Sequence, residues 1–261
     1  MATRTLGRRV ILSLFFIIRT IRSEGDISIH KPAEQSSNNN SILVASKAVD
    51  NCLHLDLKYE CCTLTNTTGQ KIAWWRVDLL EVVTISWISL YVRNGSQPKL
   101  AGYQIYASNT TTSPTDGVLC YSDNSSTEAD VQLVAHHTCP HVARYVTVYN
   151  YRNDPKRYDW YSDYAILELC KVTVKGCPVG RHGYGNCESR CSEECYGGNC
   201  QSTTGNCFYC STGKYGNRCQ NNCSANCKDS LCSIDSGYCL DCVPGNFGDK
   251  CELSLFYQLL R

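Results

Sequence analysis

The last third of the 261-residue chain carries fourteen cysteines, and from Cys187 onward they recur every 32 residues. Cys187, Cys191, Cys195, Cys200, Cys207 and Cys210 return as Cys219, Cys223, Cys227, Cys232, Cys239 and Cys242, and Cys251 repeats Cys219. Glycines keep the same step: Gly205 returns as Gly237, Gly213 as Gly245 and Gly216 as Gly248, while Tyr215 becomes Phe247. A segment of this length cannot bury enough apolar surface to fold alone. It needs staples, and closing a loop of about 15 residues is worth roughly 3 kcal/mol in the chain-entropy model. Glycine at fixed turn positions supplies backbone angles that other residues avoid. Stapled repeats with almost no core predict a linear array rather than a globule.

The spacing Cys191-x3-Cys195-x4-Cys200-x6-Cys207-x2-Cys210-x8-Cys219 resembles the epidermal growth factor (EGF) module. The short spacings and Gly-aromatic-Gly loops are most similar to the tandem repeats of scavenger receptors and multiple-EGF-domain phagocytic receptors. The family pairing implies Cys191–Cys200, Cys195–Cys207 and Cys210–Cys219, then Cys223–Cys232, Cys227–Cys239 and Cys242–Cys251. Cys177 and Cys187 bracket a copy of a module's final loop and would pair with each other. Zinc is the competing reading, because Cys207-x2-Cys210 and Cys239-x2-Cys242 have metal-ligand spacing. Export argues against it, since it oxidises such thiols. Calcium in the repeats is not expected either: Glu188-Ser189-Arg190 and Gln220-Asn221-Asn222 precede the first cysteines, without the acidic pattern of the calcium-binding subtype.

The N-terminus reads as an export signal. Arg4, Arg8 and Arg9 precede an apolar run from Val10 to Ile18, too short to span a bilayer. Residues 1–23 are expected to be a signal peptide. Six N-x-[S/T] sequons, at Asn39, Asn66, Asn94, Asn109, Asn124 and Asn222, fit a secreted glycoprotein with much exposed loop. No later stretch reaches 18 apolar residues, so no membrane anchor is expected in this chain. The protein is expected outside the cell, secreted or as the ectodomain fragment of a receptor. A net charge of +1 with 19% charged residues argues against nucleic acid or an anionic membrane as partner.

Residues 24–175 read differently. Their six cysteines are Cys52, Cys61, Cys62, Cys120, Cys139 and Cys170. Stretches rich in β-branched and aromatic residues predict strands over 83–92, 102–107, 131–134, 142–149 and 166–174. Turn clusters separate them, and no helical period of useful length appears. The expected fold is all-β: an antiparallel β-sandwich followed by small disulfide-rich repeats. The phrases KPAEQSS, ASKAVD, AWWRVDL (Ala73 to Leu79), Cys61-Cys62 and LELCKVTV resemble the F-type lectin (fucolectin) family, a relative of discoidin and coagulation factor V/VIII C-type domains. That resemblance covers nearly all of residues 28–174. It implies a jelly-roll sandwich with ligand loops at one end, and pairs Cys120–Cys139, Cys62–Cys170 and Cys52–Cys61. In AWWRVDL, Trp74 and Trp75 are expected to pack, and Arg76 and Asp78 to brace each other or the backbone.

Fucose-binding members of the family use a histidine, an Arg-x-Asp and a further basic residue. Arg93 and Lys99 match the two basic positions and are the candidate ligand-binding residues. Gly95 stands where the Asp belongs, Leu64 stands for the histidine, and His54 lies too early. Each lost polar partner costs roughly 1–3 kcal/mol. The sugar site is therefore expected to be degenerate, with Arg93 and Lys99 as solvated loop residues. A glycan on Asn94 would crowd its mouth. Calcium is doubtful as a cofactor: Asp50 matches one acidic position, Lys171 stands where another carboxylate is common, and calcium wants several oxygens. The aromatic stretch with Tyr149, Tyr151, Tyr158, Trp160, Tyr161 and Tyr164 suits either a binding surface or the packed sandwich end.

No enzyme is expected. His30, His54, His136, His137, His141 and His182 have no nucleophile motif beside them. His136-His137 is read as a solvated loop pair rather than a metal site. The organisation expected is signal peptide 1–23, sandwich 24–175, partial EGF-like module 176–190, repeats 191–219 and 220–251, and a tail 252–261. The function expected is extracellular recognition by scavenger-receptor-like ligand capture, adhesion or phagocytic recognition. Its partners would be cell-surface or microbial glycans, glycoproteins or other extracellular proteins. The alternatives are a soluble fucose-binding lectin of innate immunity and a structural matrix protein.

Overall fold

The computed structural model describes residues 25–254 apart from Leu53 and Tyr184. The expected signal peptide and most of the expected tail lie outside the described residues. The first part of the chain is an all-β antiparallel sandwich. Its strands are β1 (Ala33–Gln35), β2 (Thr63–Leu64), β3 (Ile72–Tyr91), β4 (Gln104–Ser108), β5 (Val118–Ser122), β6 (Val134–Thr138), β7 (Val142–Tyr151), β8 (Glu168–Leu169) and β9 (Lys171–Pro178). A one-turn helix, α1 (Gln97–Leu100), follows β3.

β3 organises the layers. Its first half pairs with β1 and β7, giving the order β1-β3-β7-β4-β5, and its second half pairs with β6 and β9. AWWRVDL and the expected strand at 83–92 are therefore one continuous strand. An irregularity between Asp78 and Val83 turns it from one layer into the other. There Leu80 has φ +69° and donates its N–H to Asp78 Oδ1 at 2.8 Å. Alternation does the rest: Ala73, Trp75, Val77, Ile88 and Leu90 point inward and are buried. Trp75 Nε1 donates to the Ala45 carbonyl at 2.9 Å, so the largest core ring is also satisfied.

Several strands differ from expectation. The one expected over 166–174 is two, β8 paired with β2 in a separate two-stranded sheet and β9 paired with β3. The strand expected over 131–134 begins only at Val134, because Thr127 and Asp130 form a reciprocal cap on a 3-10 turn, Glu128–Asp130, that reaches Val131. β5 went unread because its outer residues Val118 and Leu119 are exposed and give no clean alternation. Of the two bracings expected for Arg76 and Asp78, the one to the backbone occurs, at the Leu80 N–H that Asp78 accepts, and the one between them does not. Arg76 bonds its cross-strand partner Glu34 at 2.7 Å, and Asp78 takes two bonds from Arg144.

All twenty cysteines are in disulfides. In the sandwich these are Cys52–Cys61, Cys62–Cys170 and Cys120–Cys139. Beyond it they are Cys177–Cys187, Cys191–Cys200, Cys195–Cys207, Cys210–Cys219, Cys223–Cys232, Cys227–Cys239 and Cys242–Cys251. The 32-residue period is visible as structure. Two-residue hairpin strands recur at Arg181–His182 with Ser189–Arg190, Lys214–Tyr215 with Asn221–Asn222, and Asn246–Phe247 with Leu253–Ser254.

Successive modules dock by the same device. The His182 ring lies on Gly205, and the Tyr215 ring lies on Gly237. Beside them, Gly183 N–H donates to Ser202 O at 2.8 Å and Gly216 N–H to Ile234 O at 2.7 Å. The sandwich meets the first module without a linker. β9 runs through Cys177 and Pro178, still paired to Thr84 and Val83 of β3, so the boundary expected after residue 175 falls inside a strand. Gly176 allows that approach, since a Cβ there would collide with the Thr84 carbonyl.

A Cβ at Gly237 would sit 2.5 Å from the Tyr215 ring, at a backbone φ of +71°. Gly237→Ala should therefore unseat the ring and destabilise the joint by about 1–3 kcal/mol. The check is amide exchange around Gly216 and Ile234, which should rise while exchange in β3 stays unchanged.

Candidate functional site

The site lies at the end of the sandwich where β3 finishes. After Tyr91 the chain turns through Arg93-Asn94-Gly95 into α1, which carries Lys99. Facing this turn is β8, whose Glu168 pairs in register with Leu64 of β2. Arg93 Nε donates to Glu168 Oε1 at 2.5 Å and Arg93 Nη2 to Oε2 at 3.3 Å. Lys99 Nζ donates to Oε2 at 2.8 Å. The Glu168 side chain has no exposure, whereas those of Arg93 and Lys99 are 30% and 26% exposed.

A buried carboxylate must be paired and hydrogen-bonded to be tolerated. Burial pulls the Glu168 carboxyl up, but the bonds from Arg93 and Lys99 and the charge of Lys99 more than offset it, and the group is held below its usual range. The two cations are thus not solvated loop residues; Glu168 pins both. Their outer faces stay open. Arg93 has five N–H donors, of which two go to Glu168 and one to the Asn94 carbonyl. Lys99 commits one of three. Two donors on each partly exposed side chain are left over from these bonds, and Asp56 adds a negative field at Arg93.

A second layer fixes Lys99. Arg152 is buried, with no carboxylate partner among the described residues. It donates to the carbonyls of Pro98, Lys99, Ala101, Tyr151 and Ser162 and to Asn150 Oδ1. Asn150 Nδ2 adds a bond to the Lys99 carbonyl at 2.7 Å. Arg152 and Asn150 thus hold the carbonyl end of α1 and aim Lys99 at Glu168. Burial lowers the Arg152 guanidinium to about 10. Neither residue nor Glu168 carries a sequence signal of its own: they stand in ordinary strand-end positions, and only the three-dimensional arrangement selects them.

The other expected residues fall into place around this cluster. Leu64 is buried in a small apolar cluster with Leu43 and Ile166, so the position expected to hold a histidine faces the interior. His54 is exposed and stacks on Tyr59 at 4.2 Å. Gly95 has φ +83° with open space where a side chain would stand. Asp50 caps its own turn by accepting the Cys52 N–H at 2.9 Å. Lys171 reaches Asn51 Oδ1 beside it at 3.4 Å. An ammonium at that place does not suit calcium, and no group of three metal-ligating side chains occurs among the described residues.

His136 and His137 are strand residues, not a loop pair. His136 shares a 2.7 Å hydrogen bond with Ser89, and His137 shares one with the Tyr103 hydroxyl and stacks on Tyr121. Burial pulls His137 down to about 4, so it is neutral at physiological pH. The aromatic stretch divides in two. Tyr158, Trp160 and Tyr161 pack on one another and on the core. Tyr149 and Tyr151 lie on the outer face of the sheet.

A family model described as a NedA-like, galactose-binding domain of F5/F8 type C matches residues 47–148. No curated protein matches the chain. Similar solved structures include the lectin domain of lectinolysin complexed with Lewis B antigen, at 23% identity and a TM-score of 0.44, covering 57% of this chain and 95% of the other. A fucolectin from striped bass (Morone saxatilis) serum has 23% identity and a TM-score of 0.47, over 58% of this chain and 48% of its own. Chitosan-binding module 1 of a chitosanase/glucanase from Paenibacillus sp. IK-5 has 20% identity and a TM-score of 0.43, over 58% and 99%.

The clamp on Glu168 sets a pH signature. A carboxyl depressed in the folded state adds stability that is full above its ordinary value and is lost as pH falls toward the depressed one. Glu168→Gln should cost about 3 kcal/mol at neutral pH, because two cations then face a neutral amide. Urea midpoints measured from pH 7 down to pH 3 should show the gap between variant and parent narrowing on acidification.

Proposed function

We propose that the chain is an extracellular, non-catalytic recognition protein. The sandwich carries a reduced glycan site, and residues 176–251 form an EGF-like stalk of one partial module and the repeats 191–219 and 220–251. One observation carries this reading: Arg93 and Lys99 are held rigidly on a buried carboxylate with donors unspent. Charge-assisted donors fixed in this way suit sugar hydroxyls. The match of residues 47–148 to a galactose-binding domain supports the same class of ligand. The cluster itself sums to a single positive charge, offset by the field of Asp56, which suits a neutral hydroxylated ligand better than a polyanion.

The site is reduced because Leu64 and Gly95 supply no polar group. At roughly 1–3 kcal/mol for each missing partner, single-site affinity is low. Low affinity suits capture or phagocytic recognition of repetitive glycan surfaces, where several heads engage together. Ten disulfides fit an oxidising, extracellular setting. Five of the six sequon asparagines are exposed and Asn66 is half-buried, in keeping with a glycoprotein. The kept Arg93 and Lys99 also favour a second reading, a soluble fucose-binding lectin.

A glycan array probed with multimerised protein tests both. Neutral glycans should bind weakly, and Arg93→Ala should reduce the signal at least tenfold. Strong selectivity for fucosides, abolished by Arg93→Ala, would establish the second reading. No glycan binding at all would overturn both.

A further inference from the structure

The outer face of the β1-β3-β7-β4-β5 sheet is aromatic where a solvated sheet face is usually polar. Trp75, Val148 and Ile105 point inward, so Trp74, Tyr149 and Tyr106 point out. The register sets Trp74 beside Tyr149, Ile72 beside Tyr151, and Tyr106 beside Leu119. Tyr149 meets Tyr106 edge-on at 6.4 Å and stacks with Tyr151 at 6.0 Å. At the ends of the band Ile72, Tyr151 and Leu119 are 51%, 39% and 47% exposed. The band crosses four strands, about 14 Å at the usual strand spacing.

The charges on this face are already spent. Arg76 is bound to Glu34 and lies against the Trp74 ring at 5.0 Å, and Arg144 is bound to Asp78. These four charges pair off, and the further charges whose fields reach them, Asp116 at Arg76 and Lys31 at Asp78, are of opposite sign, so the described residues leave no excess charge there to draw a charged partner. What remains is the rings and the hydroxyls of Tyr149 and Tyr151, beside a Gln104 amide that accepts from the Tyr106 hydroxyl at 2.9 Å and keeps one N–H to donate. Ring faces stack on the C–H faces of sugar rings, and phenols and amides bond their hydroxyls. We propose that this face is a second binding surface, separate from the Arg93–Lys99 site, and that it takes an uncharged oligosaccharide chain lying across the strands. An extended apolar patch on a folded domain marks such a surface, and the cancelled charges select a neutral glycan over a sulfated one.

The test is affinity electrophoresis of the full chain in gels containing galactomannan, hydroxyethylcellulose or laminarin, with heparin as the charged comparison. The expected result is retardation by at least one neutral polysaccharide. Tyr149→Ala combined with Tyr151→Ala should weaken it at least tenfold while sparing the glycan-array signal that Arg93→Ala removes. Tyr151→Ala alone, at the exposed end of the band, guards against misfolding of the double variant and should still weaken binding severalfold. Arg93→Ala separates this proposal from the loop site: loss of retardation in that variant alone would place the binding there and overturn the second surface. So would no retardation by any neutral polysaccharide, stronger retention by heparin, or self-association that the tyrosine variants abolish.

Discussion

β3 is the constraint on which the rest depends. Twenty residues of one strand serve both layers, and every other long strand except β4 and β5 bonds to it directly. A strand that changes layers must break its ladder somewhere, and a buried break would leave backbone groups unpaired. The chain solves this at Asp78 to Val82, where the side chain of Asp78 accepts the Leu80 amide and the exposed Leu80 and Val82 take the turn. The same strand then delivers Arg93 at its end and receives the first module of the array at Val83 and Thr84.

The 32-residue period was legible from the cysteine spacing, whereas the pairing within it came from the resemblance to EGF modules, because spacing alone does not fix connectivity. The sandwich class was legible from β-branched and aromatic runs. Less of the site could be read. Arg93 and Lys99 stood out through resemblance, yet their environment did not. Whether a basic side chain is solvated or clamped depends on what the opposite strand presents, and Glu168 sits 75 residues beyond Arg93. The apolar runs on either side of Glu168 suggest a core strand and hide the buried carboxylate between Leu167 and Leu169. Arg152 was invisible for the same reason: most of its partners are main-chain carbonyls, which have no letter in a sequence.

Two buried charges meet opposite solutions at this end of the sandwich. Glu168 is offset by two cations, so the carboxylate becomes a fixed point around which the loop is built. Arg152 has no counter-ion among the described residues and is satisfied mainly by carbonyl oxygens, with the Ser162 hydroxyl beside them. The first arrangement depends on pH in the acid range; the second does not, because no group in it titrates there. The loop is therefore anchored from two sides with different sensitivities.

The absence of a linker between sandwich and array has a mechanical meaning. Glu168 and its two cations sit just before β9 begins, and the first module follows where β9 ends, about 25 Å away along the strand. Tension between the Arg93–Lys99 end of the sandwich and the far end of the array would run along this strand. Its hydrogen bonds to β3 would then be loaded together in shear rather than peeled one after another, and Cys62–Cys170 locks the end nearest the cations. The head is thus joined to its array in the geometry that best resists pulling.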